Sequence, residues 1–265
     1  MITSLQNPRV KDAARLRDAR HRQRQGRIVI DGVRELVRAI KAGVRIREIF
    51  LCEALLNDEE SQSLLKTMET CGGEILPVSE AVFRKLAFGN RTEGVLGVAE
   101  MPHRLLDELN LPEKNPLVAV LEGVEKPGNI GAVLRSADAV GVSALIVSDA
   151  RTDLYNPNAI RASLGTIFTV PVCEATSSET LAWLRKKEIP IITARVDGSV
   201  SYTEIDYRGP VAIVLGSEAA GLTSTWTGAD VTAVRLPMLG MADSLNVSVA
   251  AAVIFYEALR QRSGV

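Results

Sequence analysis

A series of short, uniformly apolar segments in the C-terminal part of the chain constrains its fold most strongly. These segments lack the polar alternation of a strand with one face in water, and helical segments separate them. Strands that are apolar throughout are buried on both faces, and their alternation with helices predicts a parallel sheet covered by helices. The strands are predicted at 117–121, 144–147, 189–194, 211–215 and 231–236, and the helices at 130–139, 158–164, 178–187 and 245–261.

The N-terminal part of the chain predicts a separate, small α/β domain of about a hundred residues. A linker at 102–116, which contains Pro102, Pro112 and Pro116, divides it from the parallel sheet. The predicted domains are therefore 1–101 and 117–265. Within the first, strands are predicted at 28–31, 46–52, 74–78 and 95–100, and helices at 33–42, 58–70 and 80–87.

Composition excludes several classes of protein. A hydrophobic content of 46% fills a core, so the chain is not disordered, and no apolar run approaches the length of a membrane span. The N-terminal residues lack the apolar segment of a signal peptide. Cys52, Cys71 and Cys173 form no C-x-x-C pair, which favours a reduced, cytoplasmic protein. With only His21 and His103 available, we expect neither a histidine-based metal site nor a Ser-His-Asp triad.

Charge is distributed unevenly along the chain. Residues 1–50 carry a net charge of +8, whereas the remainder carries −9. Eight basic residues, seven of them arginine, lie within 9–27, and arginine matches phosphate oxygens well. A solvated helix would explain the same pattern, but we favour a nucleic-acid-binding segment. The residues expected to contact nucleic acid there are Arg9, Arg20, Arg22 and Arg24.

The turn after the first strand of the predicted parallel sheet is rich in glycine but lacks both common nucleotide-binding fingerprints. It is neither G-x-G-x-x-G nor G-x-x-x-x-G-K-[ST], which argues against an NAD- or ATP-binding enzyme. Asn129 suits a helix cap. Arg135 follows on a small, apolar helix, where burial would require an ion pair or a ligand anion.

Two later turns also bring polar residues to strand ends, where parallel sheets bind ligands. In the turn at 215–222, Glu218 either faces a ligand or stabilises a helix N-terminus. Ser244 and Asn246 lie together at the start of the last helix, where one N-cap would need only one of them. The apolar side of that helix, which suits core packing or a dimer interface, is formed by Val249, Ala252, Val253 and Tyr256.

These three segments, in this order, closely resemble the SpoU (TrmH) family of RNA ribose 2′-O-methyltransferases, within the SPOUT class. They read EGVEKPGNIGAVLRSADA (122–139), IVLGSEAAGL (213–222) and LPMLGMADSLNVSVA (236–250). The segment VIDGVRELVRAIKAG (29–43) resembles the RNA-binding domain of the same family, which is similar to ribosomal proteins. The resemblance thus spans nearly the whole chain.

The resemblance implies a fold, a cofactor and an assembly. We expect a SPOUT catalytic domain with a parallel sheet and a C-terminal trefoil knot, preceded by the small α/β RNA-binding domain. The knot would bind S-adenosylmethionine, and the protein would act as a homodimer without a metal. The residues expected at the cofactor are Ala194, Leu215, Gly216, Leu236, Met238 and Leu245.

The resemblance also implies the chemistry and the residues that perform it. The expected reaction is methyl transfer to a ribose 2′-hydroxyl of structured RNA, with 23S ribosomal RNA as the first expectation. Transfer RNA as substrate, and a non-catalytic RNA-binding module, are the alternatives. Arg161 matches an arginine directed toward RNA, and Arg91, in the loop GNRTEG, is a further candidate contact. The expected catalytic residues are Arg135, Asn129, Glu218, Ser244 and Asn246.

Overall fold

The computed structural model describes residues 1–56, 64, 67–68, 72–88 and 93–264. These residues form two compact units. The first comprises Met1–Pro102 and Tyr155–Thr169, and the second His103–Leu154 and Val170–Val265. The division differs from the predicted domains in one respect, because Tyr155–Thr169 packs with the N-terminal residues although it lies within the predicted domain 117–265.

The first unit is built on a four-stranded sheet of mixed direction, in the order β1-β4-β2-β3. Strand β4 is antiparallel to both β1 and β2, whereas β2 and β3 are parallel. The predicted helix at 58–70 lies largely outside the described residues. The strands are β1 (Arg27–Asp31), β2 (Ile46–Leu51), β3 (Glu74–Pro77) and β4 (Val95–Glu100), and the helices preceding β4 are α1 (Pro8–Arg15), α2 (Ala19–Gln25), α3 (Val33–Lys41) and α4 (Glu80–Leu86).

Local capping explains where the first helices begin. Pro8 occupies the first turn of α1, where its missing N–H costs nothing, and the Asn7 side chain accepts a hydrogen bond from Arg9 N at 2.9 Å. Asp18 caps α2 in the same way through Arg20 N at 2.8 Å. The basic segment therefore folds as two short, capped helices.

The second unit contains the parallel sheet that the sequence predicts. Its seven strands run in the order β7-β6-β5-β10-β8-β11-β9, and all neighbouring pairs are parallel. The strands are β5 (Leu117–Glu122), β6 (Ala144–Ser148), β7 (Val172–Ala175), β8 (Ile191–Ala194), β9 (Val200–Ser201), β10 (Val211–Leu215) and β11 (Val231–Arg235). The helices of this unit are α5 (Pro127–Val140), α7 (Ser177–Lys186) and α8 (Val247–Ser263), and α6 (Pro157–Ala162) belongs to the first unit.

The strand predictions are confirmed for the interior of this sheet and missed its two edges. Strands β7 and β9 are short, and β7 includes the charged Glu174, so neither shows the continuous apolar pattern of a central strand. The central strands β5, β10, β8 and β11 are neighbours. Because parallel strands end at the same edge, the loops that follow them converge there.

Helices α5 and α8 pack against each other, which leaves one side of α8 uncovered by described residues. Val249, Val253 and Tyr256 recur at helical spacing on that side, and Tyr256 is 53% exposed. No helix among the described residues has the length and apolar character needed to cross a membrane.

Candidate active site

A cavity of about 520 Å³ opens at the carboxyl ends of β8, β10 and β11. This volume is within the range of small-molecule sites, which run from roughly 300 to 1,000 Å³. The structure brings all six of the predicted cofactor residues to its wall. They are Ala194, Leu215, Gly216, Leu236, Met238 and Leu245.

The turn after β10 brings backbone, rather than long side chains, to the cavity. A Cβ atom on Gly216 would lie 2.2 Å from the carbonyl carbon of Gly221, so only glycine fits this close approach. Gly221 has a positive φ of 65°, and its N–H donates to Ser217 O at 2.9 Å. The segment is thus a closed turn rather than a helix start, and Glu218 does not stabilise a helix that follows it.

Asn129, Glu218 and Asn246 form a hydrogen-bonded cluster from three separate segments. The Asn129 side-chain amide donates to Glu218 Oε1. Asn246 Nδ2 lies 3.3 Å from the same oxygen and 3.4 Å from Asn129 Oδ1. Both asparagine amides therefore converge on one carboxylate oxygen, and Glu218 also lines the cavity.

Helix capping fixes the orientation of Asn246. Its Oδ1 accepts hydrogen bonds from Ser248 N at 2.9 Å and from Ser248 Oγ at 2.6 Å, so its Nδ2 is left to face Glu218. Asn246 is thus the N-cap of α8, and Ser244 is an exposed residue of the cavity wall. Of the two candidates for the N-cap, Ser244 is therefore the wrong one.

The interpretation of Asn129 as a helix cap is also wrong, for a reason that the sequence contains. Pro127 is the first residue of α5, because its fixed φ suits that position, so Lys126 is the N-cap. Asn129 therefore lies inside the first turn of the helix. Its side chain is directed to Glu218 instead of to its own backbone.

Arg135 differs from the prediction in its surroundings. Its side chain is exposed on α5, so the desolvation cost that required a partner does not arise. Within the described part of the chain, no residue forms a hydrogen bond or ion pair with it, and it does not line the cavity. The structure therefore brings Asn129, Glu218, Ser244 and Asn246 to the cavity and its edge, and leaves Arg135 apart.

An ion pair in the cavity wall was missed from the sequence. Arg195 and Asp197 follow β8 and form a bidentate pair, with Nε–Oδ1 at 2.8 Å and Nη2–Oδ2 at 2.9 Å. The hydrogen bond from Arg195 lowers the pKa of Asp197 below its usual range. The signal was the sequence ARVD directly after an apolar strand, where ligand-binding residues are expected.

The arginines predicted to contact RNA divide into four groups, of which the buried Arg22 is the last. Arg20 and Arg24 on α2, and Arg161 on α6, are exposed. Arg9 is also exposed, but its guanidinium pairs with Glu74 at 2.7 Å. Arg91 lies outside the described residues.

The prediction for Arg22 is wrong. Its side chain is fully buried, and Nη1 donates to Leu16 O at 2.7 Å. This hydrogen bond holds the end of the α1 segment against α2. A phosphate cannot reach it. No group of three or more potential metal-ligating side chains occurs among the residues that the structure describes.

Comparison with known protein families finds two matches that together span most of the chain. Residues 116–256 match the SpoU rRNA Methylase family, and residues 7–97 match the MRM3-like substrate binding domain. The first match covers the parallel sheet together with Asn129, Glu218 and Asn246. The second covers the basic helices and the four-stranded sheet up to the middle of β4.

Individual proteins resemble the chain over nearly its full length. The 23S rRNA (guanosine-2′-O-)-methyltransferase RlmB of Bordetella pertussis is 36% identical over 83% of this chain and 91% of its own. A crystal structure of an RNA 2′-O ribose methyltransferase is 42% identical with a TM-score of 0.86, covering 99% of both chains. The methyltransferase AviRb from Streptomyces viridochromogenes, in complex with AdoMet, is 28% identical with a TM-score of 0.88, covering 97% of this chain and 99% of its own.

Proposed function

The chain belongs to the SpoU rRNA methylase family, and from this we propose that it transfers a methyl group from S-adenosylmethionine to a ribose 2′-hydroxyl of 23S ribosomal RNA. The observation that carries the proposal is the cluster of Asn129, Glu218 and Asn246 beside a ligand-sized cavity. Three polar side chains from three separate segments meet there in one hydrogen-bonded cluster. Family membership makes the trefoil knot an expectation for the C-terminal segment, and it stays a prediction.

The cavity suits S-adenosylmethionine in shape and in chemistry. Its walls combine apolar side chains, such as Leu215 and Leu236, with the backbone of a glycine turn and the charged pair Arg195–Asp197. That mixture fits a ligand with an aromatic ring, hydroxyl groups and a zwitterionic end. When bound, the cofactor would supply an electrophilic methyl group, so this chain needs only to position and deprotonate the acceptor hydroxyl.

Glu218 is the residue best placed to receive the hydrogen of that hydroxyl. Its Oε1 accepts from Asn129 and Asn246, whereas no described residue hydrogen-bonds to its Oε2. The two asparagines thereby hold the carboxylate in one orientation with one oxygen available. We assign Asn129 and Asn246 to orienting Glu218, and Glu218 to accepting the hydroxyl hydrogen.

Arg135 completes the site from outside its own cavity. A guanidinium does not lose its proton at physiological pH, so Arg135 serves to bind a substrate phosphate and to orient the ribose. It is exposed on α5, which packs against α8 beside the apolar stripe of Val249, Val253 and Tyr256. We propose that a homodimer forms through this stripe and that Arg135 of one protomer serves the cavity of its partner.

The two short N-terminal helices provide an RNA-binding face. Lys11 and Arg15 on α1, and Arg20 and Arg24 on α2, are exposed and spaced four residues apart, so each pair shares one side of its helix. Phosphate contacts of this kind supply affinity rather than sequence selection. We expect a protein that acts on ribosomal RNA to work in the cytoplasm.

The experiment that tests this function is methyl transfer from labelled S-adenosylmethionine to deproteinised total RNA, with ribosomal and transfer fractions separated afterwards. We expect label in 23S RNA that survives alkali as a dinucleotide, because a 2′-O-methyl group blocks cleavage at its own ribose. Label in the transfer RNA fraction would mean that transfer RNA, and not 23S RNA, is the substrate. If the protein does not bind the cofactor, the proposed methyltransferase activity is contradicted. The remaining interpretation is then a non-catalytic RNA-binding module.

A further inference from the structure

A second carboxylate contacts the residue that follows the Glu218 turn, and it is almost completely buried. Glu122, the last residue of β5, is 2% exposed. Its carboxylate accepts three hydrogen bonds of 2.7 Å, from Ser177 Oγ, Thr223 Oγ1 and Thr223 N. Burial of a polar group costs free energy unless the group is hydrogen-bonded. We therefore expect the loss of any of these three hydrogen bonds to destabilise the local structure.

The partners of Glu122 determine what it holds. Thr223 directly follows the turn 216–222 that lines the cavity, and it contributes both its N–H and its hydroxyl. The other end of this turn is fixed by β10, whose Leu215 pairs with Leu121 of β5. Glu122 therefore anchors the free end of the turn to the same strand.

Two carboxylates thus connect the end of β5 and the segment after it with the loop after β10, and each of these two sides contributes one of the carboxylates. At the base, Glu122 from the β5 end accepts from Thr223 on the β10 side. At the rim, Glu218 from the β10 side accepts from Asn129 on the β5 side. If the base contact moves, the rim contact and the backbone that lines the cavity move with it.

We propose that Glu122 is a positioning residue for the cofactor, which sets the conformation of the turn 216–222 through its contacts with Thr223. This inference rests on the proposed function, because it takes the turn as a wall of the S-adenosylmethionine site. Glu122 does not line the cavity itself, so it acts through the turn and not by contact with the cofactor.

The chain offers a matched pair of variants that separates this role from general stability. Thr223→Val and Ser177→Ala each remove one hydroxyl that donates to the same Oε1 atom over the same 2.7 Å. Only Thr223 is attached to the turn, whereas Ser177 begins α7. Thr223→Ser keeps both donors and serves as the conservative rescue, and Glu122→Gln replaces a required acceptor by an amide donor.

The test measures equilibrium binding of S-adenosylmethionine to the full-length variants, together with amide hydrogen exchange in the unliganded protein. We expect Thr223→Val to raise the Kd about fivefold and Glu122→Gln at least about tenfold, while Ser177→Ala and Thr223→Ser change it less than about twofold. Faster exchange of the Ala220 and Gly221 amides, which are hydrogen-bonded within the turn, should accompany the loss of affinity.

Equal effects of Thr223→Val and Ser177→Ala on the Kd would overturn the positioning role. Glu122 would then contribute to general stability and not specifically to the conformation of the turn. Unchanged exchange of the turn in Glu122→Gln would overturn it as well. Absence of cofactor binding by the unsubstituted chain would contradict the proposed function and, with it, this role. The exchange measurement would still report whether Glu122 anchors the turn.

Discussion

Asn129 and Glu218 are 89 residues apart in the chain, yet the side-chain amide of Asn129 donates directly to Glu218 Oε1. The contact joins the first turn of α5 to the turn that follows β10. It occupies Glu218 Oε1, and no described residue hydrogen-bonds to Oε2. An uncharged donor at position 129 is therefore required for the orientation of Glu218.

Replacing Asn129 by aspartate should remove this orientation without changing the size of the side chain. Two carboxylates in contact repel each other, so Glu218 would lose a hydrogen-bond donor and move away from its position in the cluster. We expect methyl transfer to fall about 100-fold, a loss typical of removing one oriented hydrogen-bond donor from a reaction site. The measurement is kcat with saturating cofactor and RNA, and Asn110→Asp, which adds the same charge at an exposed site, is the control. Full activity of Asn129→Asp would exclude Glu218 as the acceptor.

The fold could be predicted from this sequence because its main signal is local. Each central strand is apolar over consecutive residues, and β5, β10 and β11 lie within one residue of their predicted positions. The start of α5 was also readable, since Pro127 marks a first turn. The predicted helix nevertheless begins at 130, because the preference of asparagine for caps favoured Asn129 as the residue before it.

The contacts of the site could not be predicted, because they depend on distant residues. Glu122 and Thr223 are 101 residues apart, and no local pattern links them. Likewise, the sequence of α5 shows that Arg135 has small, apolar neighbours but not which side of the helix packs against α8. Arg22 was misassigned for the same reason, since its burial depends on how α1 and α2 pack together.

The salt dependence of RNA binding should distinguish the exposed basic residues of α1 and α2 from nearby arginines that hold the fold together. Replacing Lys11, Arg15, Arg20 and Arg24 together by glutamine should lower the slope of log K against log salt by up to about 3, because each lost phosphate contact contributes roughly 0.7 to 0.9. The measurement is RNA binding by titration at several salt concentrations. An unchanged slope would place the RNA contact elsewhere.

Arg17→Gln provides the control for that experiment. The Arg17 guanidinium donates to Lys85 O at 2.9 Å and to Leu86 O at 2.8 Å, so it holds the C-terminal end of α4. We expect this variant to lose thermal stability while keeping the salt slope of RNA binding. A reduced slope in Arg17→Gln would mean that α1 is not a stable platform for the other basic residues.

Glu257 should make the stability of the protein sensitive to acid. Hydrogen bonds from Arg260 and Gln261 lower the pKa of Glu257 to about 2, below its unfolded value of roughly 4.3. A lowered pKa means that the stabilisation is present above the unfolded value and is lost as pH falls through the folded value. The difference in free energy of unfolding between the unsubstituted chain and Glu257→Gln should therefore be constant above about pH 5 and shrink toward about pH 2. Urea unfolding across this range measures it, and a difference that grows in acid would contradict the assignment.

Complementation between two inactive variants should reveal whether Arg135 serves the partner's cavity. Arg135→Ala leaves the cavity intact, so we expect cofactor affinity to be retained while methyl transfer is lost. Gly216→Val places a side chain where a Cβ would lie 2.2 Å from the carbonyl carbon of Gly221, which should abolish cofactor binding and leave Arg135 in place. Each homodimer should be inactive, for a different reason.

A heterodimer of these two variants, purified through separate affinity tags, would contain one complete site if Arg135 acts across the interface. That site combines the intact cavity of the Arg135→Ala protomer with Arg135 from the Gly216→Val protomer. We expect about half of the activity of the unsubstituted dimer, since one of its two symmetric sites is restored. No recovery in a heterodimer of verified mass would show that Arg135 acts on its own cavity. A monomeric unsubstituted chain in sedimentation would contradict the dimer itself, and Tyr256→Glu, which charges the apolar stripe, should produce such a monomer.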